Sequence, residues 1–219
     1  VLVSVFVPTT YMPAQAADND TDTNVTTYNY KTGDFIEKVM LSEYASKYGI
    51  NTKERMAMFL AQVLHESGGF TKLRESLAYS ASRLQAVFPS RVKTLAIARS
   101  LVNKGQSAIG DAIYGGRYGN GTNNGDGYKY RGGGLLHLTF KDNYQTATND
   151  LKKDGFDVDL VKNPEKIIDP DIAVLTALIF WKNNNVNSFA DKKDITGASK
   201  KVNGGTNGLE ERKSLYNKA

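Results

Sequence analysis

The chain has 219 residues, of which 40% are hydrophobic, and this length is sufficient for one well-buried core with or without a small second lobe. It contains no cysteine, which excludes a disulfide framework, a zinc site built on thiolates and a cysteine nucleophile. The formal net charge of +5 favours anionic partners such as nucleic acid, an acidic membrane surface or a bacterial wall, and does not choose among them. No stretch reaches the roughly 18 consecutive apolar residues of a spanning helix, so we expect no stable membrane insertion.

Residues 1–30 are predicted to be a leader-like segment followed by a polar linker, and residues 31–219 to be one folded domain. The apolar start leads into Ala14-Gln15-Ala16, which has the small-x-small pattern of a signal-peptidase site. We interpret this segment as the back half of an export signal, although neither an initiator methionine nor a basic segment precedes it. The alternative is a β-strand with alternate valines on one face: Val1, Val3, Val5 and Val7.

Metal-binding motifs are incomplete, so no metal site is predicted. A calcium loop starting at Asp18 would need glycine where the chain has Thr23 and glutamate where it has Asn29. The zinc-peptidase motif needs a second histidine four residues after the first, and that position is Gly69. A serine triad is also disfavoured, because the chain lacks a Gly-x-Ser-x-Gly elbow.

Apolar periodicity predicts a mainly α-helical domain, with no convincing strand pattern. Asn51 or Thr52 can cap one helix, and Gly68-Gly69 can end it. Residues 172–181 are nearly all apolar, so the helix that contains them is expected to be central. Helices are predicted over 34–48, 51–67, 82–87, 94–102, 142–152, 169–181 and 209–217.

The segment 110–134 is rich in turn-forming residues. It holds ten glycines, four tyrosines and two arginines. We expect a long loop or small irregular lobe there, and the aromatic and basic residues favour a binding surface.

Glu66 and Glu75 are candidates for paired acid–base chemistry. On a helical projection of 100° per residue, Glu66 lies within roughly 60° of Phe59 and Val63, at the flank of the buried stripe. Partial burial and the negative end of the helix dipole favour a protonated carboxyl group, as a general acid requires. Glu75 follows the glycine break among hydroxyl groups and basic residues, where it should stay ionised and able to activate water. A gap of about 6.5–9.5 Å between two such carboxyls would predict glycoside hydrolysis with inversion.

A solvated surface glutamate is the alternative for Glu66, because a single glutamate near a helix end is usually exposed.

Three blocks of the sequence resemble glycoside hydrolase family 19, in its bacterial and phage endolysin-like branch. They are HESGGFTKLRESLAYSASRLQAVFP, GDGYKYRGGGLLHLTFKDNY and VNGGTNGLEERKSLY, in the order typical of the family. The resemblance implies a mainly α, lysozyme-like, two-lobed catalytic domain over residues 31–219. It also implies an inverting enzyme that cuts peptidoglycan or chitin at N-acetylated sugars without a metal or other cofactor.

By motif, the resemblance assigns Glu66 as general acid and Glu75 as general base. Thr139 occupies the position whose hydroxyl helps to hold the attacking water. Further substrate-binding positions are implied at His65, Tyr130, Arg131, His137, Asn143, Asn203 and Arg212. Asn203 could instead be a turn residue that caps the preceding helix, and Arg212 could be a surface charge.

Three residues depart from the family pattern Gly-Arg-Gly-Leu-Ile-Gln-Leu-Thr-Gly. An arginine is replaced by Gly133, a glutamine by His137 and a glycine by Phe140. A neutral imidazole can both donate and accept, as the glutamine amide does, but with a different reach. We expect the site to survive with a shifted substrate preference.

Peptidoglycan is expected ahead of chitin as the polysaccharide substrate. The resemblance to the endolysin-like branch is the main reason, and the lack of cysteines and the positive charge are weaker ones. A chitinase and a non-catalytic wall-binding module are the alternatives. We expect a monomer that acts outside the cell or in the periplasm, as a secreted effector or a phage lysis enzyme, with no nucleic-acid partner.

Overall fold

The structure is a computed structural model, and it describes residues 43–219. In this range the chain forms α-helices, one 3-10 helix over Pro164–Ile168, and connecting turns. The α-helices are α1 Glu43–Lys47, α2 Lys53–Glu66, α3 Ala81–Val87, α4 Leu95–Lys104, α5 Gln106–Tyr114, α6 Asp126–Lys129, α7 Lys141–Lys153, α8 Pro170–Asn183, α9 Asn187–Ala190, α10 Ile195–Asn203 and α11 Leu209–Lys218. The mainly helical class is therefore confirmed.

Helix α2 begins and ends as its sequence predicts. The Thr52 hydroxyl caps it by accepting a hydrogen bond from the Arg55 amide at 3.2 Å. Ser67 is the C-cap, and Gly68 and Gly69 then adopt φ values of 56° and 70°. Such positive φ angles suit glycine, so the chain can turn away directly after Glu66.

Two hydrophobic clusters make the domain two-lobed. Helix α8 lies in the larger cluster, where its Trp181 packs edge-on against Phe59 of α2 with ring centroids 5.2 Å apart. The burial of α8 confirms its predicted central position. The smaller cluster joins α3, α4 and α5 and consists of Leu77, Leu84, Val92, Ala98, Ile109 and Ile113.

The segment 110–134, predicted as a long loop or small irregular lobe, also contains helical residues. Helix α5 extends through Tyr114, and α6 forms a short turn at 126–129. Gly110 is glycine for a packing reason: a Cβ there would lie 2.6 Å from the backbone nitrogen of Tyr128. Sequence reasoning took this glycine as a turn signal, although its function is to let α5 and α6 approach closely.

Helices α9 and α10 and the 3-10 helix were not predicted. They are short, and tertiary packing rather than a long apolar stripe stabilises such elements. The predicted helix 34–48 is described only over Glu43–Lys47. The leader, the linker and the alternative strand lie outside the described residues. Among the helices of 43–219, none combines the length and hydrophobicity needed to cross a membrane.

We predict that Gly110→Ala destabilises the protein. Glycine to alanine within an exposed helix normally stabilises by about 1 kcal/mol. Here the added methyl group meets backbone atoms, and overpacking of this kind costs about 1–3 kcal/mol. Urea denaturation should therefore show a lower midpoint. Ser107→Ala, on the exposed side of α5, is the control and should change stability by less than about 0.5 kcal/mol. An unchanged or higher midpoint for Gly110→Ala would contradict the close packing of α5 and α6.

Candidate active site

Glu66 is the last residue of α2 and is 3% exposed, so the alternative of a solvated surface glutamate is wrong. Arg212 of α11 donates from Nη2 to Oε1 of Glu66. Its Nη1 donates to Oε1 of Gln62 at 2.5 Å. Gln62 lies four residues before Glu66 on the same side of α2, so both side chains reach one guanidinium. Arg212 is 0% exposed, and its alternative assignment as a surface charge is therefore also wrong.

The guanidinium adds an influence that the sequence argument did not include. Burial favours the neutral form of a carboxyl group, whereas a neighbouring positive charge favours the ionised form. The helix pattern indicates only burial and the helix dipole. It does not predict Arg212, because this partner lies 146 residues later in the chain.

Asn203 and Arg212 meet at one carbonyl oxygen. Asn203 Nδ2 and Arg212 Nε each donate to the Asn207 oxygen, both at 3.2 Å. Asn203 Oδ1 accepts from the Gly205 amide at 2.8 Å, so Asn203 makes a local turn contact, while Gly204 is the C-cap of the helix. Asn203 is 4% exposed and belongs to the network around Glu66.

His65 lies next to Glu66 and contacts α11. Its Nδ1 is 2.8 Å from Oε2 of Glu211. A side chain at Gly208 would overlap the imidazole, because a Cβ there would lie 2.0 Å from the ring. Two neighbouring pairs, His65 with Glu211 and Glu66 with Arg212, therefore place α11 against the end of α2.

The glycine triplet at 132–134 forms the backbone frame that holds Glu75. The Glu75 amide donates to the first carbonyl of the triplet, and the third amide donates to Leu73, both at 2.9 Å. On the other side, the middle glycine exchanges two backbone hydrogen bonds with Leu138, at 3.0 and 2.8 Å. These pairings bring the two sequence blocks that contain Glu75 and Thr139 side by side.

The Glu75 carboxylate accepts hydrogen bonds from two neutral donors. The Tyr114 hydroxyl donates to Oε1 at 2.7 Å, and the Gly132 amide donates to Oε2 at 3.0 Å. Burial and then the charge of Glu75 raise the pKa of Tyr114 well above its usual value, so this phenol remains a donor. Glu75 is half-buried. The hydroxyl that donates to Glu75 therefore comes from α5, 39 residues later in the chain.

Thr139 and Asn143 are tied to the backbone that follows the triplet. Thr139 Oγ1 donates to the His137 carbonyl at 2.9 Å, and Asn143 Nδ2 donates to the Thr139 carbonyl at 2.7 Å. The Thr139 oxygen retains lone pairs that can accept a hydrogen bond from water.

His137 is 6% exposed and lies beside Glu75. A Cβ built on Gly132 would be 3.2 Å from both His137 Nδ1 and Glu75 Cβ. His137 Nε2 is 2.9 Å from the Lys72 carbonyl oxygen. Since a carbonyl oxygen only accepts, Nε2 is the donor in this contact.

Arg131 binds the backbone of Glu75, whereas the Tyr130 side chain is buried. Arg131 Nε donates to the Glu75 carbonyl at 3.1 Å, and its guanidinium lies 3.9 Å from the centre of the Tyr128 ring. Tyr130 is 1% exposed, and its hydroxyl donates to the Val161 carbonyl at 3.0 Å. The Tyr130 side chain thus packs in the core, and its implied place in the block beside the groove stays a prediction.

The structure shows how the protein accommodates two departures from the family pattern, Gly133 and Phe140. A Cβ on Gly133 would lie 2.5 Å from Ile167 and 2.7 Å from Nη1 of Arg74, so the Arg74 guanidinium fills the space beside this residue. Phe140 adopts φ 76° and ψ 144°, a region that favours glycine. The backbone thus keeps a conformation suited to the family's glycine, although a phenylalanine occupies the position.

Sequence reasoning missed Gln62, Glu211 and Tyr114. Gln62 had a usable signal, because it is a polar residue one helical turn from Glu66. Tyr114 had no local signal, since it contacts Glu75 across 39 residues of chain. Within residues 43–219, no three histidine, aspartate or glutamate side chains form a group that could hold a metal ion.

Comparisons with known proteins show a sequence relative and solved structures of similar fold. A protein of Haemophilus influenzae (strain ATCC 51907 / DSM 11121 / KW20 / Rd), named "Glycosyl hydrolase family 19 domain-containing protein", is 37% identical over 177 residues. The alignment covers 80% of this chain and 84% of the relative. The crystal structure of a family GH19, class IV chitinase from Zea mays matches with a TM-score of 0.53 at 22% identity, over 88% of this chain and 81% of that chain. No protein-family model matches the chain.

The likeness to the maize structure shows that the fold is the lysozyme-like, mainly helical fold of family 19 chitinases. On the evidence of its sequence relative, the chain belongs to glycoside hydrolase family 19. The family assignment made from the three sequence blocks is thereby confirmed.

We predict that Arg212→Ala strongly destabilises the protein. The change leaves the carboxylate of Glu66 and the amide of Gln62 buried without their donor. Breaking a buried charge pair in this way costs about 3–5 kcal/mol, measurable by chemical denaturation.

The matched control is Lys213→Ala on the same helix. The Lys213 side chain is 43% exposed and pairs with Glu210 at 2.8 Å. Such a surface pair contributes about 0–1 kcal/mol. Equal losses for the two variants would contradict the special position of Arg212.

Proposed function

We propose that the protein is an inverting glycoside hydrolase that cleaves the β-1,4-linked N-acetylated glycan of peptidoglycan. The observation that carries the proposal is the unlike surroundings of the two carboxylates. Glu66 is buried against a guanidinium, whereas Glu75 is half-buried and accepts from a phenol and a backbone amide. Membership of family 19 supports the same reaction class.

In this mechanism Glu66 is the general acid. In its protonated form it transfers a proton to the glycosidic oxygen as the bond from that oxygen to the anomeric carbon breaks. Glu66 is then a carboxylate, and Arg212 stabilises that charge. Gln62 and Asn207 hold the guanidinium in place for this role.

Glu75 is the general base on the opposite face of the sugar. It takes a proton from water while the water oxygen forms the new bond to the anomeric carbon. The Thr139 hydroxyl donates to its own backbone turn, which leaves the oxygen free to accept from this water. The separation of about 6.5–9.5 Å between the two carboxyl groups is part of the proposal.

The remaining predicted residues would line the sugar groove on either side of this pair. His65 precedes Glu66 in the chain, and Asn203 shares the Asn207 carbonyl with Arg212. His137, Arg131 and Asn143 lie around the backbone turns next to Glu75. All five could contact acetamide or hydroxyl groups of the glycan through side-chain or local backbone atoms.

We favour peptidoglycan over chitin mainly because of the resemblance to the endolysin-like branch, and the net charge of +5 is a weaker reason. The enzyme would act as a monomer outside the cell or in the periplasm. Chitin is the second candidate, and the fold shared with the maize class IV chitinase favours it.

We predict that the purified protein releases fragments from peptidoglycan sacculi, and that Glu66→Gln and Glu75→Gln each lower the rate by about 10²–10⁴-fold, since general acid–base catalysis contributes that much. Mass spectrometry of the released fragments identifies the bond that is cut. Glu210→Gln is the matched control, because the same chemical change falls on a side chain that is 85% exposed.

A parallel incubation with colloidal chitin separates the alternatives. Release from chitin alone would overturn the peptidoglycan proposal and favour the chitinase. Binding to sacculi without any release from either polymer would overturn the enzyme assignment and favour a wall-binding module.

We further predict that the first product carries the α configuration at its new reducing end. A single displacement by water inverts the β-linked centre, whereas a covalent intermediate would retain it. Proton NMR of a soluble oligosaccharide, recorded before mutarotation, distinguishes the two anomers. An initial β-anomer would contradict the roles given to Glu75 and water.

A further inference from the structure

Tyr114 connects Glu75 to the smaller lobe. The preceding turns of α5 contribute Ile109 and Ile113 to the smaller cluster. Glu75 lies between the lobes, because Leu73 belongs to the larger cluster and Leu77 to the smaller one. The hydrogen bond from the Tyr114 hydroxyl to Glu75 therefore ties the carboxylate to a helix outside its own stretch of backbone.

The Tyr114 ring is itself held by aromatic contacts. It packs edge-on against Phe140, with centroids 5.4 Å apart and an interplanar angle of 84°. Phe88 of the smaller lobe also lies edge-on to it, with centroids 6.5 Å apart and an interplanar angle of 78°. Edge-to-face pairs of this kind restrict the tilt of a ring in addition to burying it. The direction in which the hydroxyl points is thus determined by its neighbours.

The backbone of Phe140 is strained where its ring packs against Tyr114. It is 5% exposed, and its backbone adopts the glycine-type conformation described above. Its amide donates to Tyr130 at 2.8 Å and its carbonyl accepts from Tyr144 at 3.1 Å, so the surrounding structure enforces that conformation. A glycine would remove the strain, but it would also remove the ring that packs against Tyr114.

We propose that Tyr114 is a positioning residue for Glu75, and that Phe140 is the aromatic seat that orients Tyr114. The inference rests on the proposed function of Glu75 as general base. With only the Gly132 amide as donor, the carboxylate could rotate about its side-chain bonds. A second donor on the other oxygen fixes the plane of the carboxylate and hence the direction in which it meets the attacking water.

Tyr114→Phe is the decisive variant, because it removes one oxygen atom and keeps the ring. We expect kcat on the polymer or oligosaccharide that the wild-type enzyme cleaves to fall about tenfold or more, since Glu75 loses one of its two donors. KM should stay within about twofold, because Tyr114 acts on Glu75 and not on the sugar.

Tyr48→Phe is the matched control. The Tyr48 hydroxyl also donates to a carboxylate, that of Asp154, and Tyr48 is 2% exposed in the larger lobe. Both variants therefore lose a tyrosine–carboxylate hydrogen bond and should lose comparable stability. Only Tyr114→Phe should lose kcat when both are assayed well below their melting temperatures.

A double-mutant cycle tests the part played by Phe140. Phe140→Leu keeps an apolar side chain and removes the ring, and we expect it to lower kcat. In the Tyr114→Phe background the same change should lower kcat by less than about twofold more, because the hydroxyl it orients is already absent. Fully additive losses would overturn the seat role of Phe140.

The outcomes for Tyr114 and Glu75 can be separated. If Glu75→Gln is inactive while Tyr114→Phe keeps the wild-type kcat, the positioning role is wrong and the proposed function stands. If Glu75→Gln keeps the wild-type rate, both are wrong. A fall in kcat shared equally by Tyr114→Phe and Tyr48→Phe would likewise overturn the inference, because it would reflect stability alone.

Discussion

The buried ion pair between Glu66 and Arg212 is the interaction on which the site depends. It joins α2 to α11, and the guanidinium also binds Gln62 and the Asn207 carbonyl. Burying the charge of Glu66 or of Arg212 alone would be costly. The last helix must therefore pack against α2 so that the two charges are buried together. The packing of the last helix therefore determines the surroundings of Glu66, the proposed general acid.

The second carboxylate is held by a different kind of structure. Glu75 lies on an extended segment that pairs with the glycine triplet at 132–134, and its side chain reaches Tyr114 from the smaller lobe. Its partners are neutral, whereas the partner of Glu66 is a cation. Two carboxyl groups with unlike partners suit the unlike roles of acid and base that inversion requires. Gly133, which is closely packed, and Phe140, whose backbone is strained, lie on the same stretch of backbone beside Glu75.

Much of the helical scaffold could be predicted from local patterns. Helices α2, α3, α4, α7, α8 and α11 were expected at close to their observed positions, because caps, glycine stops and apolar periodicity are local signals. Helix α5 was missed because Gly110 was taken as a turn former, although the structure uses it for a close helix contact. The candidate site was also predicted by motif, but its contacts were not.

The sequence by itself determined the helical class and the family, and it suggested the two candidate glutamates, because each is encoded in short stretches whose residue types and spacing are informative on their own. Only the tertiary structure decided what surrounds those glutamates. Arg212 reaches Glu66 across 146 residues, and Tyr114 reaches Glu75 across 39. The tertiary structure also buries the side chain of Tyr130 in the core. Such pairings depend on how helices pack in three dimensions, and no local pattern of apolar and polar residues contains that information.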